Sequence, residues 1–246
     1  MSDKGQFEPG FQNPITFQGF PGKEGKMPSP KPWFDEIPTE EGGSQKYKLS
    51  GKLTGKKAII TGGDSGIGRA TAVLFATQGV DSLIRLVESY GHTCHLLATD
   101  LTSQANCHKV VDTAAQLLNN HIDILFNNAT FQLLHTFNNN IYPYFYLAKY
   151  ALPSIKRGST IISNAKLSNY QVGKGIRVIA IALGLVVTPP IPATLLEEAQ
   201  KSFTSPMGRP AQPSEIATCV LFLTSMDSSA VSRQVIHCNG GTIVNG

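Results

Sequence analysis

The chain has 246 residues, of which 41% are hydrophobic, and a formal net charge of +4 at pH 7. This length and composition fit one globular α/β domain, and the weak charge without blocks of like sign argues against a nucleic acid or an acidic membrane as partner. The chain shows no run of eighteen apolar residues and no signal-peptide pattern, so we expect a cytoplasmic protein. Its four scattered cysteines lack a Cys-x-x-Cys pair and predict no metal site: Cys94, Cys107, Cys219 and Cys238.

The first 50 residues are rich in proline and glycine and show neither a helical nor an alternating apolar pattern. They predict an irregular N-terminal arm, residues 1–50, before a single domain over residues 51–246. The aromatic side chains of the arm include Phe7, Phe11, Phe17, Phe20, Trp33 and Phe34. Two interpretations stay open. The arm is a disordered tail, or its aromatic side chains lie against the folded body or a neighbouring subunit of a homo-oligomer.

A glycine-rich turn, Thr-Gly-x-x-x-Gly-Ile-Gly, follows an apolar strand predicted over residues 57–61 and precedes a helical pattern that ends near Gly79. Strand, turn and helix in this order are typical of a dinucleotide-binding site. Gly62 lets the chain turn off the strand, Gly66 leaves room for a phosphate, and Gly68 lets the helix pack closely on the sheet. Because the free N–H groups of the helix start face the turn, the sequence predicts a pyrophosphate site there.

Strands and helices then alternate as a parallel sheet requires. The predicted strands are residues 93–98, 122–126, 160–162, 176–181 and 235–238. The predicted helices are residues 106–118, 135–155 with a kink at Pro143, 195–203 and 213–224, and residues 184–192 form an irregular turn. We therefore expect a Rossmann-like, doubly wound parallel sheet in a single α/β domain.

The second strand of that sheet has too few residues. A Rossmann unit needs a complete strand here, because the end of this strand carries the residue that contacts the adenosine ribose. Only Ser82, Leu83 and Ile84 are left to supply it, so we expect a stub around Leu83. The chain therefore offers no basis for choosing between NAD and NADP.

Several motifs in a fixed order resemble the short-chain dehydrogenase/reductase family, in particular its N-terminally extended, glucose/ribitol dehydrogenase-like branch. They are residues 61–70, 100–101, 127–129, 174–178, 188–189, 206–210 and 237–246, and in the arm residues 21–23 and 40–43. The resemblance implies an NAD or NADP cofactor. It also implies hydride transfer to or from a small-molecule substrate such as a sugar, a polyol or another small carbonyl or alcohol.

The resemblance also implies which residues contact the cofactor. They are Gly62, Asp64, Ser65, Gly66, Ile67 and Gly68 in the glycine loop, Asp100 and Leu101 beside the adenine, Asn127, Asn128 and Ala129 beside the adenine-side ribose, Thr188 beside the nicotinamide amide, and Gly184. The family's catalytic group comprises an asparagine, a serine, a tyrosine and a lysine. Asn140 matches the asparagine, which orders a water relay.

Tyr170 and Lys174 stand at the Tyr-x-x-x-Lys spacing of the family, but the chain leaves too little room for their helix. That helix has about six turns and needs about 20 residues before the next strand, whereas the strand predicted from Ile176 follows at once. Neither Ser163 nor Ser168 has the family's serine-to-tyrosine separation. We therefore expect the segment with the catalytic serine, tyrosine and lysine to be missing.

Two further junctions show the same break, between Ile84 and Arg85 and between Gln132 and Leu133. Three functional hypotheses remain. The first is an active oxidoreductase in which Tyr170 transfers the proton and Lys174 lowers its pKa. The second is a non-catalytic nucleotide-binding or subunit-partner protein, and the third is an incomplete chain that does not fold stably. Because a fold cannot replace the proton-transfer group, we expect no hydride transfer.

Overall fold

The computed structural model of the chain describes residues 4–19, 22–80, 95–129, 141–162 and 171–243. Its strands are β1 (Glu36–Pro38), β2 (Ser44–Lys46), β3 (Ala58–Ile60), β4 (Ile122–Phe126), β5 (Ile155–Ile162), β6 (Arg177–Leu183) and β7 (Val235–Cys238). Its helices are α1 (Gly66–Thr77), α2 (Gln104–Leu117), α3 (Tyr142–Ala151), α4 (Pro190–Thr194), α5 (Glu197–Lys201) and α6 (Pro213–Thr224). Within the described residues, five strands form a parallel sheet in the order β3-β4-β5-β6-β7. The predicted Rossmann-like α/β fold is therefore confirmed.

Helices cover both faces of this sheet, because alternate strand residues point to opposite sides. Ile60, Ile124 and Ile162 belong to the apolar core that packs beneath α1 and α6. Ile59 and Leu125, one residue away along their strands, belong to the core beneath α2 and α3. This double burial explains why the strands read as continuous apolar runs in the sequence.

Most predicted elements lie within a few residues of the observed ones. The strands over 122–126 and 235–238 and the helix over 213–224 agree with the structure to the residue. The helix predicted over 135–155 is wrong at its carboxyl end, where α3 stops at Ala151 and β5 already begins at Ile155; residues 135–140 lie outside the described residues. Pro143 produces no kink, because it stands in the first turn of α3, where proline is tolerated.

The strand predicted over 93–98 is wrong wherever the structure describes it. Residues 95–100 have no regular secondary structure, and Leu96 is 57% exposed, although Leu97 packs against the core beneath α2 and α3. A strand needs a neighbour to pair its backbone groups, and among the described residues β3 is the edge of the sheet on this side. The stub expected around Leu83 lies outside the described residues.

In its described part, the arm contains only short regular elements. β1 and β2 form an antiparallel hairpin, and Glu24–Lys26 form a 3-10 turn. Phe7 and Phe11 are buried, Trp33 and Phe34 are half-buried, Phe17 is exposed, and Phe20 lies outside the described residues. The guanidinium of Arg209 lies 5.4 Å from the centre of the Phe7 ring and donates to the Phe7 carbonyl at 2.9 Å. The described part of the arm therefore lies against the body.

The described ranges lack two kinds of feature. None of the helices there combines the length and the apolar character that crossing a membrane would demand. Nor do three or more His, Cys, Asp or Glu side chains come together there as a metal site requires.

Candidate nucleotide-binding site

A cavity of about 1150 Å³ opens at the carboxyl ends of the parallel strands. The loops that follow β3, β4 and β6 line it with residues 61–66, 128–129 and 184–186, and residues 188–190 close it from the side. In open α/β sheets, ligands bind in the crevice beyond the carboxyl ends of the strands. The position of the cavity is therefore that of a cofactor site.

Most of the residues predicted to contact a cofactor line this cavity. They are Gly62, Asp64, Ser65, Gly66, Ile67, Asp100, Leu101, Asn128, Ala129, Gly184 and Thr188. Gly68 and Asn127 lie outside the lining and support it from behind. Leu96, Thr99, Pro189, Leu195 and Phe203 also line the cavity and were not predicted. Pro189 belongs to the motif over 188–189, and the other four gave no signal because isolated residues between elements do not form a motif.

Each glycine of the loop meets a different constraint. Gly62 and Gly66 have backbone φ angles of +63° and +51°, which residues other than glycine rarely adopt. A Cβ on Gly66 would lie 3.1 Å from the Thr188 Cγ2 atom across the cavity. A Cβ on Gly68 would lie 2.1 Å from the Gly62 carbonyl oxygen, so helix α1 could not pack so close to the end of β3. The turn at Gly62 and the close packing of α1 at Gly68 are therefore as predicted, and the phosphate position at Gly66 stays a prediction.

Thr61 ties the loop after β3 to the loop after β4. Its hydroxyl oxygen accepts hydrogen bonds from the backbone N–H groups of Asn128 and Ala129, each at 2.9 Å. The Asn128 amide donates in return to the carbonyls of Thr61 at 3.1 Å and Gly62 at 3.2 Å. Two walls of the cavity are therefore held together by Thr61, the first residue of the glycine-rich motif.

Tyr144 of α3 holds the same wall from outside. Its hydroxyl donates to the Ala129 carbonyl at 2.9 Å, and the Asn127 amide donates to the Tyr144 carbonyl at 3.4 Å. Burial raises the pKa of the Tyr144 phenol well above its usual range, so the hydroxyl stays protonated and remains a donor.

Asp100 presents a charged carboxylate on another wall. Its oxygens accept hydrogen bonds from the Thr102 backbone N–H and hydroxyl, both at 2.9 Å, and these bonds lower the pKa of the Asp100 carboxyl. The carboxylate is therefore ionised at neutral pH and can accept a hydrogen bond from an amino group in the cavity.

Lys174 lies far from the cavity. It stands exposed in a 3-10 turn, Val172–Lys174, directly before Gly175, whose carbonyl accepts from Gly158 N–H at 2.9 Å. This is the amino end of β6, whereas the cavity meets the carboxyl end at Leu183. Seven strand residues separate these ends by about 20 Å. Asn140 and Tyr170 lie outside the described residues.

The connection from β5 to β6 is short. β5 ends at Ile162 and β6 begins at Arg177, and the two strands are parallel neighbours. Residues 163–176 must therefore carry the whole crossover, and a parallel crossover takes a dozen or more residues. A helix of about six turns needs about 20 residues by itself and does not fit this length.

The chain matches two family models. One, described as short chain dehydrogenase, covers residues 56–172, and the other, described as enoyl-(acyl carrier protein) reductase, covers residues 166–242. A solved short-chain dehydrogenase from Burkholderia cenocepacia, in complex with NADP, has a TM-score of 0.70 at 21% identity. The match covers 77% of this chain and 98% of that one, and at this identity it shows the fold.

Curated relatives are more similar in sequence. An uncharacterised oxidoreductase of Bacillus subtilis, YhxC, is 40% identical over 92% of this chain and 94% of its own. The glucose and ribitol dehydrogenase of Daucus carota is 37% identical over 100% of both chains. That alignment spans 306 positions against the 246 residues of this chain, so 60 positions face gaps in it. With such identity over nearly its whole length, the chain belongs to the short-chain dehydrogenase/reductase family.

Proposed function

We propose that the protein binds NAD or NADP in the cavity at the carboxyl edge of the sheet but does not catalyse hydride transfer. The binding half of the proposal rests on the glycine loop. The loop lines the cavity, and α1 begins there, so its free N–H groups and its dipole favour an anion such as a pyrophosphate. The complex of the Burkholderia cenocepacia relative with NADP supports the same choice of ligand.

The catalytic half rests on one observation, the position of Lys174. In the family mechanism, a lysine lowers the pKa of the tyrosine that transfers the proton. Across about 20 Å of water-like dielectric, a unit charge contributes only about 0.2 kcal/mol, while one pKa unit requires about 1.4 kcal/mol. Lys174 therefore cannot activate a phenol beside a nicotinamide bound in the cavity.

The lengths of the chain and its relatives support the same proposal. The crossover between β5 and β6 is too short for the long active-site helix of the family. The alignment with the Daucus carota dehydrogenase leaves 60 of its positions without a residue of this chain. We infer that the internal segments expected from the three junctions, including the one with the catalytic serine, tyrosine and lysine, are among those positions.

A titration of NADH and NADPH, followed by nucleotide fluorescence, tests binding. We expect saturable binding to the wild type and none to Gly66→Val, because a branched side chain at φ +51° strains the turn and meets Thr188. Gly173→Val is the matched control, since a Cβ there has no heavy atom within 4 Å, and it should bind as the wild type does. Equal affinity in the wild type and Gly66→Val would show that the loop is not the site.

A second candidate is an active oxidoreductase that acts on a sugar, a polyol or a small carbonyl or alcohol. It is favoured by the cavity, which the glycine loop lines, and by the name of the Daucus carota relative, a glucose and ribitol dehydrogenase. This candidate requires hydride transfer that depends on Tyr170, so a turnover assay separates it from the first.

A further inference from the structure

One carboxylate of the arm reaches the glycine loop. Glu24 accepts a hydrogen bond from the Gly66 backbone N–H at 2.8 Å, and its other oxygen pairs with the guanidinium of Arg69. The Glu24 side chain is only 11% exposed. Ser65, which precedes α1 as its N-cap residue, makes no capping hydrogen bond with its side chain. Glu24 therefore caps α1 from 42 residues upstream, at the end where a carboxylate is stabilising.

Glu24 lies behind the cavity wall, so it does not occupy the place in the cavity that is proposed for the pyrophosphate. Gly22, Ser65, Gly66 and Ile67 line the cavity, whereas Glu24 does not. In the part of the chain that the structure describes, the N–H groups of Ile67 and Gly68 have no hydrogen-bond partner. Of these two residues Ile67 lines the cavity, so its donor remains for a pyrophosphate, and Glu24 and a bound dinucleotide do not compete for the same place.

The arm also contacts the walls of the cavity at two places besides the Glu24–Gly66 hydrogen bond. The guanidinium of Arg69 lies 4.9 Å from the centre of the Phe34 ring, so arm residues hold it from two directions. A Cβ on Gly22 would lie 2.3 Å from the Pro189 carbonyl oxygen, which shows how closely the arm backbone approaches the opposite wall of the cavity. The arm thus contacts both the glycine loop and the loop that carries Thr188.

The charge balance agrees with a supporting role. The ion pair with Arg69 neutralises the Glu24 carboxylate, so the pair adds little net repulsion toward a phosphate. The hydrogen bond to Gly66 fixes a residue with φ +51°, and the next residue, Ile67, supplies a free N–H group at the cavity. Donors that are held in place before binding lose less conformational entropy when the ligand binds.

We infer that Glu24 is a positioning residue for the dinucleotide. It holds Gly66 so that the N–H group of Ile67, the next residue, points at the pyrophosphate, and it makes the arm part of the cofactor site. The inference rests on the proposed function, because it requires that the cavity bind NAD or NADP.

The test compares Glu24→Ala and Glu24→Gln with Glu41→Gln, a matched control because Glu41 is an exposed carboxylate of the same arm. The ligands are NADH, NADPH, ADP and adenosine. We expect Glu24→Ala to raise the Kd of the phosphate-bearing ligands about 10-fold, as for the loss of one hydrogen bond to a charged group. Adenosine has no phosphate, so its Kd should not change. Glu24→Gln should recover part of the affinity, because its amide oxygen can still accept from Gly66.

Each other outcome has a distinct meaning. Wild-type affinity in Glu24→Ala, measured beside a wild type that binds, would overturn this inference and leave the proposed function standing. An equal loss for adenosine and ADP would show general unfolding in place of positioning and would also overturn it. A wild type that binds neither NADH nor NADPH would overturn the proposed function itself. Should Glu24→Ala not fold, the comparison of ADP with adenosine in Glu24→Gln decides in the same way.

Discussion

Some side chains around the cavity act by holding its walls. The hydroxyls of Thr61 and Tyr144 hold the backbone of Ala129 from two sides, one accepting from its N–H and one donating to its carbonyl. Neither Thr61 nor Tyr144 could be assigned this role from the sequence, because each partner lies on another element of the fold. The place of Gly62, Gly66 and Gly68 at a binding loop could be predicted, since a turn by itself does not require three glycines at this spacing.

Tyr144→Phe tests the outer of these two contacts. It removes the donor and leaves the Ala129 carbonyl unpaired, so at pH 7 the free energy of unfolding should fall by about 1 kcal/mol. Denaturant unfolding measures this loss, and Tyr146→Phe on the same helix is the control.

The pH dependence of the same variant has a definite sign. Burial raises the pKa of Tyr144 above its ordinary value of 10.0, so above pH 10 the unfolded chain releases a proton that the folded chain keeps. The wild type should therefore lose stability from pH 10 upward as the unfolded state becomes favoured. Tyr144→Phe lacks this group, and its stability should fall less steeply over the same range. Parallel curves for the two proteins would contradict the buried position of the phenol.

At the scale of elements, the guanidinium of Arg177 connects β6 to the carboxyl end of α6. Arg177, the first residue of β6, donates through Nη1 to the carbonyls of Leu223 at 2.8 Å and Ser228 at 3.1 Å, and through Nη2 to that of Ser225 at 3.1 Å. Burial lowers the pKa of Arg177, which nevertheless stays charged at neutral pH. The carbonyls that end a helix carry partial negative charge, so this contact stabilises the end of α6.

Arg177→Lys should therefore weaken the fold. A lysine offers one ammonium group in place of the planar fork and cannot reach all three carbonyls. We expect the free energy of unfolding to fall by about 2 kcal/mol in urea denaturation. The control is Arg157→Lys, since Arg157 is exposed on β5 and its change should have little effect. Equal stability of Arg177→Lys and the wild type would show that the fork is not needed.

Elements with a complete local pattern could be predicted, and elements that depend on a distant neighbour could not. α2 and α6 carry apolar residues at helical spacing, so their positions follow from their own residues. Residues 95–98 have the composition of a strand but no paired neighbour among the described residues. The hairpin of β1 and β2 was missed because Pro38 and the glycines after it give a loop-like composition.

At the scale of the whole molecule, the glycine loop and Lys174 lie at opposite edges of the sheet. The glycine loop and the cavity belong to the carboxyl edge of the sheet, whereas Lys174 stands at the amino edge. The fold could be predicted from motif order, and the short crossover from the few residues between Lys174 and the next strand. The contact of Glu24 with the glycine loop could not be predicted, since its partner Gly66 lies 42 positions away in the chain.

The most direct test of the central claim is a hydride-transfer assay. Wild type and Tyr170→Phe are incubated with NADH or NADPH and simple aldehydes, and with NAD or NADP and sugars or polyols, while the reduced nicotinamide is followed by its absorbance. We predict no turnover above the protein-free background in either protein, although the wild type binds the nucleotide. Turnover in the wild type that disappears in Tyr170→Phe at unchanged cofactor affinity would contradict this claim and identify an active oxidoreductase.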